Sequence, residues 1–176
     1  MHDSTRIEID LGQQCLTLFR GRERRAVYPV STGKNGAGES RGSECTPRGR
    51  HAIEEKIGHG CAVNTVFVAR RPTGEVYTPA LRDQYPGRDW ILTRILWLTG
   101  LEPGRNQGGD VDTRGRYVYI HGAPDEVPMG VPGSRGCVRM RSSDIVALFD
   151  AVRVGTGVVI TPDLQSMPDL WSMPNL

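Results

Sequence analysis

Frequent glycine and proline residues, 22 and 12 in a chain of 176, break this sequence into short apolar runs. Residues 7–11 and 14–19 alternate apolar with polar side chains, which is the period of a half-buried β-strand. Residues 64–69 and 90–98 are rich in β-branched and aromatic side chains and also predict strands. The pattern favours a mostly β, loop-rich domain of two packed sheets over a helical bundle.

Residues 142–154 form the one segment that predicts a helix by its pattern. Ser142 is a candidate N-cap, and Asp144 lies in the predicted first turn, where a negative charge is favourable. Apolar side chains then recur at helical spacing and define one face: Ile145, Leu148, Phe149 and Val152. Gly155 is expected to end the helix, and residues 158–160 to form the last strand.

Three loops separate the predicted strands. Residues 33–42 are rich in glycine but do not follow the strand-to-helix pattern of a phosphate-binding loop, so we expect a surface loop there. Residues 75–89 and 100–116 are polar and long. Because loops of this length in a compact domain are usually functional, we expect both to border a cleft.

The stretch 117–140 contains the candidate nucleophile. Its aromatic and β-branched start predicts a buried strand, which stops at His121, and a loop with three prolines then leads to Cys137. A histidine close to a cysteine promotes loss of the thiol proton, and the thiolate is the reactive form. The flanking arginines are expected to favour the thiolate further. An inert buried cysteine beside a structural histidine is the alternative.

Two segments, His121-Gly122 and Ser-Arg-Gly-Cys-Val-Arg-Met at residues 134–140, resemble the active-site signature of the YkuD-type L,D-transpeptidases. Further similar stretches extend the resemblance over roughly residues 5–161. It implies a β-sandwich of two mixed sheets with one or two short helices. One position departs from the family pattern, because Arg135 stands where a second histidine is usual.

The resemblance implies a role for each residue of the signature. Cys137 would be the nucleophile, His121 the base, and Gly122 the residue whose carbonyl orients the imidazole. Backbone N–H groups of Gly136 and Cys137 would form the oxyanion hole. The resemblance also implies that a substrate carboxylate is held by polar groups around the thiol: Ser134, Arg135, Gly136 and Arg139.

The implied substrate is a peptidoglycan-derived tetrapeptide or muropeptide, cleaved between its third-position diamino acid and its terminal D-alanine. Acylation of Cys137 by carbapenems is expected, and neither a cofactor nor a metal is. A zinc site is a weaker hypothesis, because the spacing of its candidate ligands matches no finger pattern: Cys45, His51, His59 and Cys61. Two further hypotheses are a non-catalytic muropeptide-binding module and a sortase-like transpeptidase.

Charge and composition limit which partners and which cellular compartment the sequence predicts. A net charge of +2 with dispersed arginines argues against nucleic acid, and no apolar run has the length of a membrane span. The start of the chain lacks a signal-peptide pattern and the cysteines suit a reducing space, so we predict a cytoplasmic location, or a periplasmic one if the chain is trimmed. That favours an L,D-carboxypeptidase in muropeptide recycling over a periplasmic enzyme that forms 3-3 cross-links. Residues 1–161 are expected to form the catalytic domain, and residues 162–176 a tail with a duplicated six-residue segment.

Overall fold

Ten strands and two helices form the part of the chain that the computed structural model describes, residues 4–162. The strands are β1 (Thr5–Asp10), β2 (Cys15–Arg20), β3 (Glu23–Pro29), β4 (Gly49–Ile57), β5 (Thr65–Val68), β6 (Arg71–Val76), β7 (Ile91–Gly100), β8 (Tyr119–Ala123), β9 (Val138–Arg141) and β10 (Gly157–Thr161). The helices are α1 (Pro79–Gln84) and α2 (Ser142–Ala151), and a 3₁₀ turn covers Gly109–Val111. The predicted tail from residue 163 onwards lies outside the described residues.

The strands join in one curled, mixed sheet in the order β3-β2-β1-β10-β4-β7-β5-β6, with β8 and β9 branching from β7. Most neighbours are antiparallel, whereas β1 with β10 and β8 with β9 are parallel. Strand β7 pairs with β4, β5 and β8 along different parts of its length. The prediction of a mostly β domain is confirmed. The expected sandwich had two sheets, whereas in the structure hydrogen bonds connect all ten strands into one curled sheet.

The curled sheet closes on itself beside β9. Ser31, which follows β3, and Arg139 of β9 exchange two backbone hydrogen bonds, each with an N–O distance of 2.9 Å. A second bridge joins Gly33 to Ser134. These bridges fix the segment that precedes β9 against the first part of the chain, and that segment contains the candidate nucleophile.

Helix α2 packs on β7, β8 and β9 and covers the main core. The core consists of buried aliphatic side chains from nearly every strand and from the helix, among them Ile7, Leu16, Ile53, Leu96, Ile120, Val138, Ile145 and Ile160. Burial of this apolar area is the main favourable term in the stability of the domain. Between residues 4 and 162, no helix is both long and apolar enough to cross a bilayer.

Helix α2 was correctly predicted and begins at Ser142 as expected, but its N-cap and its last residue differ from the prediction. Ser142 is not the N-cap: Arg141 occupies that position without a side-chain bond, and the Ser142 hydroxyl lies 2.6 Å from Thr93 Oγ1. The helix ends at Ala151, before the predicted residue 154. Lys56 Nζ donates to the Phe149 and Val152 carbonyls at 2.6 and 2.7 Å, which satisfies groups that a longer helix would use.

Helix α1 lies in residues 75–89, where the sequence predicted only loop. The Thr78 hydroxyl accepts a hydrogen bond from the Leu81 N–H at 3.1 Å, and Pro79 occupies the start of the helix. Threonine at the N-cap followed by proline is a recognised start signal for a helix. The polar composition of the segment obscured it.

Candidate active site

Strand β8 and the corner before β9 bring His121 and Cys137 together. The two strands are parallel, with Ile120 opposite Val138 and His121 opposite Arg139. Side chains alternate between the two faces of a sheet, so His121 and Arg139 share a face with Cys137, two residues before Arg139. The predicted pair, with fifteen residues between its members in the sequence, is therefore adjacent in the fold.

The thiol of Cys137 is held by two backbone groups that flank the start of β8. The Tyr119 N–H donates to Sγ at 3.4 Å, and the thiol donates to the Tyr117 carbonyl at 3.5 Å. Tyr117 itself has a φ of 57°, rare for an aromatic residue, so the predicted strand starts only at Tyr119. This local turn aims the Tyr117 carbonyl at the thiol.

The expectation of a thiolate in the resting protein is wrong. Neighbouring protein atoms exclude solvent from the thiol and raise the pKa of Cys137 to about 12, although the residue keeps partial exposure. The Tyr119 hydrogen bond and the positive charges of Arg139 and Arg116 act in the opposite direction, but burial outweighs them. At neutral pH the nucleophile is thus a neutral thiol that needs a base.

His121 has the arrangement of such a base. Its side chain is buried, and Nδ1–H donates to the Gly122 carbonyl at 2.6 Å. Burial lowers the pKa of His121 below its ordinary value, so the imidazole is neutral at neutral pH. With Nδ1 bearing the hydrogen, Nε2 carries the lone pair, and no described residue forms a hydrogen bond with it.

Gly122 is required by the close approach of β7. A Cβ at this position would lie 2.6 Å from the Leu92 carbonyl oxygen and 3.1 Å from the Thr93 side chain. Thr93 has a φ of 76°, and the pairing of β7 with β8 shifts register there. The bulge in β7 therefore packs directly against Gly122. The Gly122 carbonyl contacts His121 Nδ1, which is the contact that the family resemblance implied.

The glycine corner differs from the predicted oxyanion hole. The Gly136 N–H donates to Ser134 Oγ at 3.1 Å, and the Ser134 hydroxyl donates to the Cys137 carbonyl at 2.5 Å. Ser134 is buried and braces this corner, while Gly136, at a φ of 120°, packs on the Cys45 carbonyl. Within residues 4–162 the Cys137 N–H has no hydrogen-bond acceptor, so it is the free donor of the predicted pair.

The two arginines that flank Cys137 have different surroundings. Arg139 donates to Asp89 Oδ1 at 3.1 Å and to the Gly133 carbonyl at 3.2 Å, so its charge already has a carboxylate partner. Arg135 lines the cavity beside Cys137, and the described residues give its side chain no hydrogen bond or ion pair. Of the two, Arg135 is the one free to meet a substrate anion.

A cavity of about 500 Å³ opens beside Cys137. The loops at residues 75–89 and 100–116 border it as expected, through Asp89 and Arg116, whereas three other lining residues were not identified from the sequence as part of the site: Arg70, Tyr117 and Tyr119. A second cavity of about 340 Å³ is lined by Tyr77, Trp90 and Arg139. Asp89 lines the first cavity and Arg139 the second, so their ion pair lies between the two.

The structure assigns His51, one of the candidate zinc ligands, to a different role. Its Nδ1 is 3.0 Å from the Gly49 carbonyl and its Nε2 is 3.1 Å from Thr113 Oγ1. Both nitrogens are therefore occupied within the fold. Over residues 4–162, no three His, Cys, Asp or Glu side chains are grouped as a metal site would require.

Comparison with known proteins agrees with this geometry. The family model of the L,D-transpeptidase catalytic domain, YkuD, matches residues 4–160. The putative L,D-transpeptidase YqjB of Bacillus subtilis is 41% identical over 151 residues, which cover 86% of this chain and 68% of that protein.

Solved structures are similar in fold. An L,D-transpeptidase from Mycobacterium smegmatis aligns with a TM-score of 0.54 and 19% identity, covering 90% of this chain and 58% of that one. LdtMt1 in complex with imipenem aligns with a TM-score of 0.55 and 21% identity, covering 90% and 59%. This chain thus spans somewhat more than half of the solved chains that it matches. The family match, together with the Bacillus relative, shows that the chain belongs to the L,D-transpeptidase catalytic-domain family of enzymes.

Proposed function

We propose that this chain catalyses cysteine-dependent acyl transfer on peptidoglycan tetrapeptide stems. The bond cleaved is the amide between the third-position diamino acid and the terminal D-alanine. One observation carries the proposal: His121 shares a face of the sheet with Cys137, which lines a cavity of about 500 Å³, and backbone groups hold both side chains by hydrogen bonds. This is the geometry of a nucleophile with a base that a third group orients.

In the first step, Cys137 Sγ attacks the carbonyl carbon of the diamino acid while His121 Nε2 accepts the thiol proton. Because the pKa of Cys137 is about 12 and that of His121 is lowered, proton transfer before attack is unfavourable. Bond formation and proton transfer are therefore concerted. The Tyr119 N–H stabilises charge on sulfur, and the Cys137 N–H can donate to the carbonyl oxygen as it becomes negative.

In the second step, the imidazolium returns its proton to the amine of D-alanine. The C–N bond breaks, free D-alanine leaves, and a thioester joins the diamino acid to Cys137. The Gly122 carbonyl, 2.6 Å from Nδ1, stabilises the imidazolium between the two steps. The group that attacks the thioester, water or an amine, then determines whether the product is hydrolysed or cross-linked.

We favour water as the acceptor, which makes the protein an L,D-carboxypeptidase that trims tetrapeptides to tripeptides. Cys137 keeps partial exposure through the cavity, so water can reach the thioester. His121 Nε2 would take a proton from water as its oxygen attacks the thioester carbonyl carbon, and would return that proton to Cys137 Sγ as the C–S bond breaks and the tripeptide leaves. The cytoplasmic location stays a prediction, which fractionation of cells tests.

Transpeptidation is the second candidate. The second cavity, about 340 Å³ beyond the ion pair of Asp89 with Arg139, offers aromatic and proline side chains to an incoming peptide. An amine held there competes with water only if it is well oriented, an advantage that can reach about 7–11 kcal/mol. In that case the thioester would form a 3-3 cross-link.

Mass spectrometry of products distinguishes these candidates. The purified protein is incubated with a disaccharide tetrapeptide, alone and with excess D-methionine. Tripeptide as the main product supports the carboxypeptidase, and a cross-linked dimer or a D-methionine adduct supports transpeptidation. No product from the wild-type chain, with binding of the peptide retained, would favour the muropeptide-binding module.

Carbapenem acylation provides a second readout of the nucleophile. A related enzyme has been solved in complex with imipenem, and we propose that imipenem acylates Cys137 here. Intact-mass spectrometry should show one adduct on the wild-type chain and none on a Cys137→Ala variant. An adduct that survives this substitution would place the reactive thiol elsewhere.

A further inference from the structure

Three guanidinium groups line the cavity beside Cys137. Arg70, Arg116 and Arg135 all line it. Its one acidic lining residue, Asp89, is already paired with Arg139 at 3.1 Å. Within residues 4–162, none of the three lining arginines forms an ion pair. The cavity is therefore suited to an anion.

Arg70 occupies a position in the fold that is unusual for a long side chain. Ala69 and Arg70 form the two-residue turn between β5 and β6, with Val68 paired to Arg71. Their φ values are 47° and 65°, and turns of this kind favour Asn-Gly because both residues need a positive φ. Strain of this kind points to a function for the residue that bears it.

The Arg70 guanidinium is fixed relative to the thiol. It donates to the Tyr119 hydroxyl at 3.0 Å and lies 4.7 Å from the Trp97 ring centre and 4.9 Å from that of Tyr117. Tyr117 and Tyr119 are also the residues whose backbone groups contact Cys137 Sγ. A guanidinium has five N–H donors, and Arg70 uses one of them in these contacts.

Arg116 adds a second charge that is partly removed from water. It donates to the Cys45 carbonyl at 2.7 Å and to other neutral groups, and burial lowers its pKa. A desolvated charge without a counterion is costly, and an anionic ligand offsets that cost. Two fixed guanidinium groups thus face the same cavity as the nucleophile.

We propose that Arg70, supported by Arg116, binds a carboxylate of the stem peptide and makes the protein selective for substrates with that carboxyl group free over substrates in which it is amidated. The inference rests on the proposed function. Two carboxylates lie near the cleaved bond: the C-terminus of the D-alanine, and the side-chain carboxylate of a diamino acid that carries a second carboxyl group. Both present the same chemistry to a guanidinium fork.

Equilibrium binding tests the proposal without turnover. Calorimetry on the Cys137→Ala protein compares three tetrapeptides: one with both carboxyl groups free, one amidated at the C-terminus and one amidated at the diamino-acid side chain. Amidation at the recognised position should weaken binding about tenfold to a hundredfold, the range for loss of a charge-assisted hydrogen bond. The position that matters identifies which carboxylate Arg70 binds.

Arg70→Gln in the same background should abolish that discrimination, and Arg70→Lys, which keeps the charge but loses the fork, should retain part of it. Arg114→Gln is the matched control. The Arg114 guanidinium lies 4.8 Å from the same Trp97 ring but is absent from the cavity lining, so discrimination should be unchanged.

Equal affinity for all three peptides, or no binding of any, overturns the inference even if the Arg70 variants fold poorly. Full discrimination in a folded Arg70→Gln protein also overturns it. The proposed function fails by a separate result, the absence of D-alanine release by the wild-type chain.

Discussion

Two buried histidines in this fold share their chemistry but differ in their surroundings. His51 and His121 both place Nδ1 against a backbone carbonyl, of Gly49 at 3.0 Å and of Gly122 at 2.6 Å. Burial lowers the pKa of both, to about 4 for His51. In His51 the remaining nitrogen meets Thr113 Oγ1, whereas in His121 it has no partner among the described residues.

The difference shows that burial and a lowered pKa do not identify the base. His51 cross-links β4 to the loop before β8 through Thr113, and both of its nitrogens are used in that role. His121 uses one nitrogen for orientation and keeps the other for a proton. What marks His121 as the base is that its Nε2 has no partner within residues 4–162 and lies on the same face as the thiol that lines the cavity.

The largest expected effect is on turnover. His121→Gln removes the base but leaves an amide that can still donate to the Gly122 carbonyl. We expect D-alanine release to fall by about a hundredfold to ten-thousandfold, the usual contribution of general base catalysis. Steady-state kinetics on tetrapeptide measure the change, and thermal unfolding confirms that the variant is folded.

His51→Gln is the matched control for that experiment. The substitution is chemically the same and lies outside the cavity, so the folded fraction should keep its rate within a few-fold. Comparable losses of rate in both variants would mean that activity follows general stability, and the assignment of His121 as the base would then be wrong.

The second effect is on the free energy of unfolding and its dependence on pH. The folded pKa of His51 is about 4 and its ordinary value is 6.5, so below pH 6.5 the unfolded chain binds a proton that the folded chain does not. Stability is therefore complete above pH 6.5 and falls as the pH drops to about 4, by on the order of 3 kcal/mol from this residue. Urea unfolding at pH 7 and pH 4.5 should show a smaller difference in His51→Gln than in the wild-type chain.

The third effect is on the fall of kcat/KM at low pH. The base must be neutral, and burial lowers the pKa of His121, so the decline of kcat/KM in acid, about tenfold per unit, should be centred below pH 6.5. The same decline should persist in His51→Gln. A decline centred above pH 6.5 would contradict the neutral, buried imidazole.

Local sequence patterns predicted much of this fold but not how its parts meet. Alternation and β-branched content located the strands at residues 7–11, 14–19 and 90–98, because these signals depend on neighbouring residues alone. The order of the strands, including the three partners of β7, depends on long-range pairing, for which a single sequence contains no signal. The missed helix at Pro79–Gln84 did carry a local signal, in Thr78 and Pro79.

The residues of the site also divide into those that local sequence predicted and those that depend on long-range pairing. Cys137, His121 and Gly122 were predicted because the family signature is nearly contiguous in sequence. Arg70 was not, since the hairpin of β5 with β6 reaches the cavity only through tertiary pairing, and Arg116 was expected only as part of a loop that borders a cleft. The raised pKa of the thiol escaped prediction for a related reason: flanking arginines are visible in a sequence, whereas desolvation is a property of the folded protein.

The smallest expected effect tests whether a vacant nitrogen is sufficient to make a histidine reactive. The Thr113 hydroxyl lies 3.1 Å from His51 Nε2 and donates to the Asn106 carbonyl at 2.9 Å. Thr113→Val keeps the shape of the side chain and leaves Nε2 of His51 unpaired, as Nε2 of His121 is in the wild-type chain. Loss of a partner for a buried polar atom should cost about 1–3 kcal/mol in the free energy of unfolding.

Turnover in Thr113→Val should not change, because the hydrogen-bond partners of His51 in the described part of the chain, Gly49 and Thr113, include no thiol. In the Cys137→Ala background the added Thr113→Val should restore none of the lost activity. A measurable rate in that double variant would show that a vacant imidazole nitrogen is enough for hydrolysis without the nucleophile. A stability loss with no rate change would show that the thiol, rather than the vacancy, distinguishes His121 from His51.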